Sequence, residues 1–180
     1  MFDLPLHPIS VHFPIVLGSF LPLVAGVLWW AIRNEKLSAA SWKLIPAIAL
    51  VYGLSAVVAV QLGGIDEEKV EKVVSEHLIE EHDEIAESVP WVAGGLLLVS
   101  LAGLGRKYAG QARLALVVLS LAGLIPLTLA GHSGGALVYQ HGAGFAHLAP
   151  ETQATIKAGK LVRSGEEEDK PSAHDGEDDD

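Results

Sequence analysis

The chain has 180 residues, half of them hydrophobic, and a mean hydropathy of +0.37 in spite of a strongly acidic C-terminal end. An ordinary soluble domain does not reach that value, and a net charge of -10 argues against nucleic acid as a partner. Cysteine is absent and Met1 is the only methionine, which excludes disulfides, thiolate metal sites and haem attached through a Cys-x-x-Cys-His motif; any metal or haem would rest on carboxylates and on the eight histidines.

Residues 1–7 form a short, almost uncharged lead, and His7-Pro8 reads as a helix start because proline is tolerated in the first turn. Residues 8–32 carry no charge and are long enough to cross a hydrocarbon core of about 30 Å. Pro14 and Pro22 interrupt this run, and Trp29 and Trp30 close it as interfacial anchors. It lacks the basic start and cleavage site of a signal peptide, so a retained span is expected.

A polar loop leads through Trp42 to a second span over 45–62, which Gly63-Gly64 is expected to end. Residues 66–87 contain ten acids and a helical period of Val70, Val73, Val74, Leu78 and Ile85, predicting an amphipathic helix on the membrane surface. A third span is expected over 88–105, and a fourth, containing Pro126, over 114–139. Residues 146–163 read as a short extension and 164–180 as a disordered acidic tail. The fold class is therefore all-α: a four-transmembrane-helix bundle over 1–145 with an extra amphipathic surface helix.

Four spans place both termini on one side. The loops on the other side hold Arg33, Lys36, Lys43, Arg106, Lys107 and Arg113 against the single acid Glu35, so the charge divides as +5 against -15. Basic residues in short loops mark the cytoplasmic side. The expectation is a multi-pass protein of the bacterial inner membrane with both termini periplasmic or extracellular.

Depth groups the histidines. About 20 residues of span counted back from Ile32 reach His12, and the same count forward from Leu114 approaches His132. His82 lies two turns before the third span, and His7 and His141 flank the same level. Imidazoles from several helices at one stratum suit a metal ion, or a haem held by two axial histidines. His12, His82, His132 and His141 are the candidate ligands for either, with His7 beside them. Gly131, Gly134 and Gly135 would let a flat cofactor approach the helix. The opposing reading makes these histidines structural, since small and polar residues are ordinary at membrane helix interfaces. The glycines follow a helix and have no phosphate-binding lysine, which rules out a nucleotide loop. The acidic surfaces would suit a basic soluble electron carrier, or they are simply solvated.

Leu6-His7-Pro8 with Val11-His12-Phe13-Pro14, then Glu81-His82-Asp83-Glu84, then Gly131-His132-Ser133-Gly134-Gly135 with Tyr139, His141-Gly142 and Gly144, together resemble one family. It is the group of bacterial membrane proteins catalogued as domain of unknown function 2231. The resemblance covers roughly residues 4–145, with a longer charged helix before His82. It implies four membrane helices, a respiratory redox context, and His7, His12, His82, His132 and His141 as the matching histidines. The sequence thus predicts a lipid-embedded protein that binds b-type haem near the periplasmic face and passes electrons, with other respiratory or redox subunits as partners, rather than an enzyme with its own substrate. The alternative is a non-redox subunit or scaffold with structural histidines or a divalent metal ion such as zinc or copper.

Overall fold

The computed structural model describes residues 5–159. Helices α1 (His7–Ser10) and α2 (His12–Arg33) form the first rod. A 3-10 turn, Ala39–Lys43, leads into α3 (Leu44–Val70), followed by α4 (Glu76–Ala102). Helices α5 (Ala109–Ala122) and α6 (Leu124–Tyr139) make the last rod, and a 3-10 turn at Ala143–His147 follows it. Helix α7 (Pro150–Lys157), opened by a proline at its first turn, belongs to a separate small unit that starts at Leu148. The predicted acidic tail 164–180 lies outside the described residues.

The two interruptions share a cause. Val11 and Gly123 both keep helical backbone angles (φ -63°, ψ -22° and φ -64°, ψ -13°), so each rod stays continuous. Pro14 has no N–H to offer Ser10, and Pro126 none to offer Ala122, and each interruption falls just after such an orphaned carbonyl. Pro22 and Pro90, by contrast, lie inside unbroken α2 and α4, so Pro22 does not interrupt the first run, contrary to expectation. The rods His7–Arg33, Ala39–Val70, Glu76–Ala102 and Ala109–Tyr139 are each long and apolar enough to cross a membrane. At most 33% of the apolar window of each rod is buried inside the bundle. Phe13, Phe20, Leu54, Trp91, Leu98 and Ile125 all point outward. Water would not tolerate so large an apolar surface, whereas lipid satisfies it.

Two expectations about the middle of the chain are corrected. Gly63-Gly64 does not end the second span, because α3 continues to Val70. The single amphipathic helix expected over 66–87 is two pieces: Asp66–Val70 completes α3, and Glu76–Glu87 begins α4. The β-branched pair Val73-Val74 disfavours helix continuation, and Ser75 is extended (φ -69°, ψ 139°) at the N-cap of α4. The chain reverses there, and its apolar positions Val74 and Ile79 pack with Leu137 and Ala143. The periodicity seen in the sequence thus serves a hairpin of two long helices.

The main core joins Leu21, Ala25, Trp42, Ile45, Tyr52, Ala93, Leu96, Leu116 and Leu127. Gly18 lets α2 approach it closely, since a Cβ there would stand 2.8 Å from Leu127 and 3.1 Å from the Tyr52 ring. At the basic pole Trp42 is fully buried and donates its indole N–H to the Ser100 carbonyl at 3.0 Å. The Arg113 guanidinium lies 5.3 Å from the Trp42 ring centre, and its Nε–H bonds the Gly103 carbonyl at 2.9 Å. This lock ties the 3-10 turn to α4 and α5, so both basic loops occupy one pole.

Helix α2 ends on a left-handed residue. Glu35 has φ 55°, and the N–H of Lys36 returns to the Ala31 carbonyl at 2.9 Å, the wrap usually given to glycine. Glu35→Gly is expected to stabilise the protein by about 0.5–1 kcal/mol, read as a higher melting temperature in detergent. A lower one would mean that the Glu35 side chain contributes more than its backbone strain costs.

Candidate functional site

Distance along the helices sets the depth of the histidines. His82 lies 18 residues from Ser100 on α4, or about 27 Å at the helical rise, and Ser133 lies 20 residues from Arg113, or about 30 Å. Starting from the basic pole, these lengths match the thickness of a hydrocarbon core. His82 and Ser133 therefore sit at its far edge, at the pole that carries the acids.

There the structure brings two imidazoles together. The rings of His7 and His82 stand 6.4 Å apart between centroids and are nearly perpendicular, at 81°. His7 Nδ1 is 2.8 Å from the Ala59 carbonyl of α3, which can only accept, so Nδ1 carries the proton. His82 Nδ1 is 2.8 Å from Ser133 Oγ. The Ser133 hydroxyl already donates to the Ala130 carbonyl at 3.1 Å, so it accepts from His82. Both tautomers are thereby fixed, and Nε2 is the lone-pair nitrogen of each neutral ring.

Two glycines make room for these rings. A Cβ at Gly63 would lie 3.3 Å from the His7 ring, and one at Gly134 would lie 3.1 Å from His82 Cε1. Helices α3 and α6 can flank the histidines because those positions lack a side chain. Beside the pair is a cavity of about 330 Å³ lined by His7, His82, Gln61, Glu67, Asp83 and Glu87, among others. Its walls mix apolar residues such as Val60, Ile65 and Ala86 with imidazole and carboxylate groups.

The other expected ligands stand elsewhere. His12 is exposed and gives its Nδ1–H to the Pro8 carbonyl of its own turn at 2.7 Å. His132 and His141 are exposed. Gly134 faces His82, but a Cβ at Gly131 or Gly135 would meet open space, so these two do not flank the imidazole pair. Among the described residues no three His, Asp or Glu side chains are grouped so as to hold a metal ion. Depth places a side chain at a level but does not choose its face: of the candidates His7, His12, His82, His132 and His141, the described residues bring only His7 and His82 ring to ring. Sequence reasoning missed Ser133, Gly63 and the cavity acids. The signal for Ser133 was present: Leu127, Ala130, Gly134 and Leu137 recur at three- and four-residue steps, which marks the inward face of α6 beside Ser133 and leaves His132 outside.

No curated protein and no solved structure matches the chain. The family described as "Predicted membrane protein (DUF2231)" matches over residues 3–147, the stretch that contains all four rods and the histidine pair. With four apolar rods, a lipid-facing surface and this match over most of its length, the chain is an integral membrane protein and belongs to the DUF2231 family.

Proposed function

We propose that this membrane protein holds a transition-metal ion between His7 and His82 at the acidic pole of its bundle. The carrying observation is that two imidazoles from separate helices stand 6.4 Å apart with both Nδ1–H groups anchored. His7 and His82 would be the residues to hold such an ion, each through the Nε2 that its anchored Nδ1–H leaves free. A carbonyl or hydroxyl on the far nitrogen is the usual support of a ligating histidine. Glu67, Asp83 and Glu87 line the adjoining cavity and give it a negative potential for a cation. The small cavity with its carboxylates suits a bare ion such as zinc or copper better than a porphyrin. The same bis-imidazole arrangement supports b-type haem as the second reading, with electron transfer to redox subunits or a basic soluble carrier. The basic loops at the opposite pole support a periplasmic position for the site.

The test is a titration of the purified full chain with Zn²⁺ and Cu²⁺ against a chromophoric chelator, beside elemental analysis and an absorption spectrum of protein expressed with ample haem. One equivalent of metal per chain, bound more weakly at acidic pH because Nε2 must be unprotonated, is the expected result. A Soret band that shifts on reduction would favour the haem reading. Protein that binds neither would remove both.

A further inference from the structure

A second feature lies at the opposite pole and is independent of the histidines. On the outward face of α2, Pro22, Leu23, Gly26, Val27 and Trp30 line an open notch of about 320 Å³. These residues follow one another at helical spacing along a single face. Gly26 leaves the floor low, since a Cβ there would meet only Val117, at 3.9 Å. Leu23 and Val27 are exposed on its walls, and Trp30 closes the end nearer the basic loop.

Charge stands at that closed end. The Lys36 ammonium lies 4.3 Å from the centre of the Trp30 ring, and the Arg33 guanidinium lies 5.6 Å from that of Trp29. Neither position is incidental to the backbone. The left-handed Glu35 and the Lys36-to-Ala31 hydrogen bond fold the chain back over the last turn of α2. Asn34 Nδ2 donates to the Trp30 carbonyl at 2.7 Å and fastens the same turn. The loop 33–44 carries Arg33, Lys36 and Lys43 against Glu35, so its net charge is positive.

An apolar trough that runs along the bilayer and ends under the Lys36 ammonium, in a loop of net positive charge, matches one molecule: a lipid with an acyl chain below and an anionic headgroup above. We propose that this notch is a binding site for one anionic phospholipid, its chain along Leu23, Gly26 and Val27 and its phosphate against Lys36. Trp30 serves both parts, since it lines the trough and carries the ammonium over its ring. A zwitterionic lipid fits the trough equally well but brings its own cation to the lysine, so the headgroup decides the preference.

The full chain in nanodiscs of phosphatidylcholine, doped with bromo-acyl phosphatidylglycerol or bromo-acyl phosphatidylcholine, tests this through quenching of tryptophan fluorescence. Half-maximal quenching is expected at a roughly fivefold to tenfold lower fraction of the phosphatidylglycerol, the preference that one or two lysine or arginine side chains give. Lys36→Gln is expected to lower that ratio towards one. Gly26→Leu, which fills the trough, is expected to reduce quenching by both lipids. Equal quenching of the wild-type protein by the two lipids would overturn the proposal without recourse to any variant. So would a headgroup preference that survives both substitutions in protein that still melts cooperatively.

Discussion

Replacing His82 by alanine is expected to weaken metal binding by at least about 100-fold, while His132→Ala leaves it unchanged. His82 supplies one of the two paired imidazoles, and its loss leaves His7 alone beside the cavity acids. Ser133→Ala is the intermediate case. It keeps the ligand but removes the oxygen that receives the Nδ1–H at 2.8 Å, and the loss of such a support costs roughly tenfold to 100-fold. The ordering His82→Ala, then Ser133→Ala, then wild type equal to His132→Ala can be read from one chelator-competition series. A series in which His132→Ala is the most damaging would move the site to the outer face of α6. Equal affinity in all four proteins would place the bound ion elsewhere.

Trp42→Ala is expected to destabilise the fold by about 3–5 kcal/mol, as for a large aromatic removed from a packed core. Trp42 is fully buried, and the damage exceeds the void it leaves. The indole N–H that bonds the Ser100 carbonyl disappears, and Arg113 loses the ring it lies against. Trp42→Phe separates these contributions: it retains most of the packing and the aromatic face but not the donor, and is expected to cost about 1–2 kcal/mol. Denaturant titration in mixed micelles measures both. A Trp42→Ala protein within 1 kcal/mol of wild type would show that the basic pole is held by lipid rather than by this lock.

Much of the architecture could be read from the sequence because bilayer physics acts on length and charge, which a sequence displays directly. The four rods, the two basic loops and the depth of the histidines all follow from counting. What counting could not give was direction around each helix. His132 and Ser133 are neighbours on α6 at almost the same depth, but 100° of rotation per residue turns one outward and the other to His82. The histidine drew attention as the residue costlier to bury, and it proved to be the one left exposed. His7 shows the same limit: in the sequence it marks a helix start, and only the fold brings Ala59 within 2.8 Å of its ring. The hairpin at 71–75 was hidden because a helical period cannot distinguish one amphipathic helix from the ends of two.

The histidine cluster draws on both extremes of the membrane domain. His7 precedes the first rod, Ala59 lies on α3, His82 on α4 and Ser133 late in α6. A chain that emerges N-terminus first therefore has the first imidazole in place long before the residue that orients the second has been synthesised. The cluster closes only when the last rod has entered the bilayer, so partly inserted chains and chains stopped before Ser133 lack it. Closure of the cluster thus records that membrane insertion has run to completion.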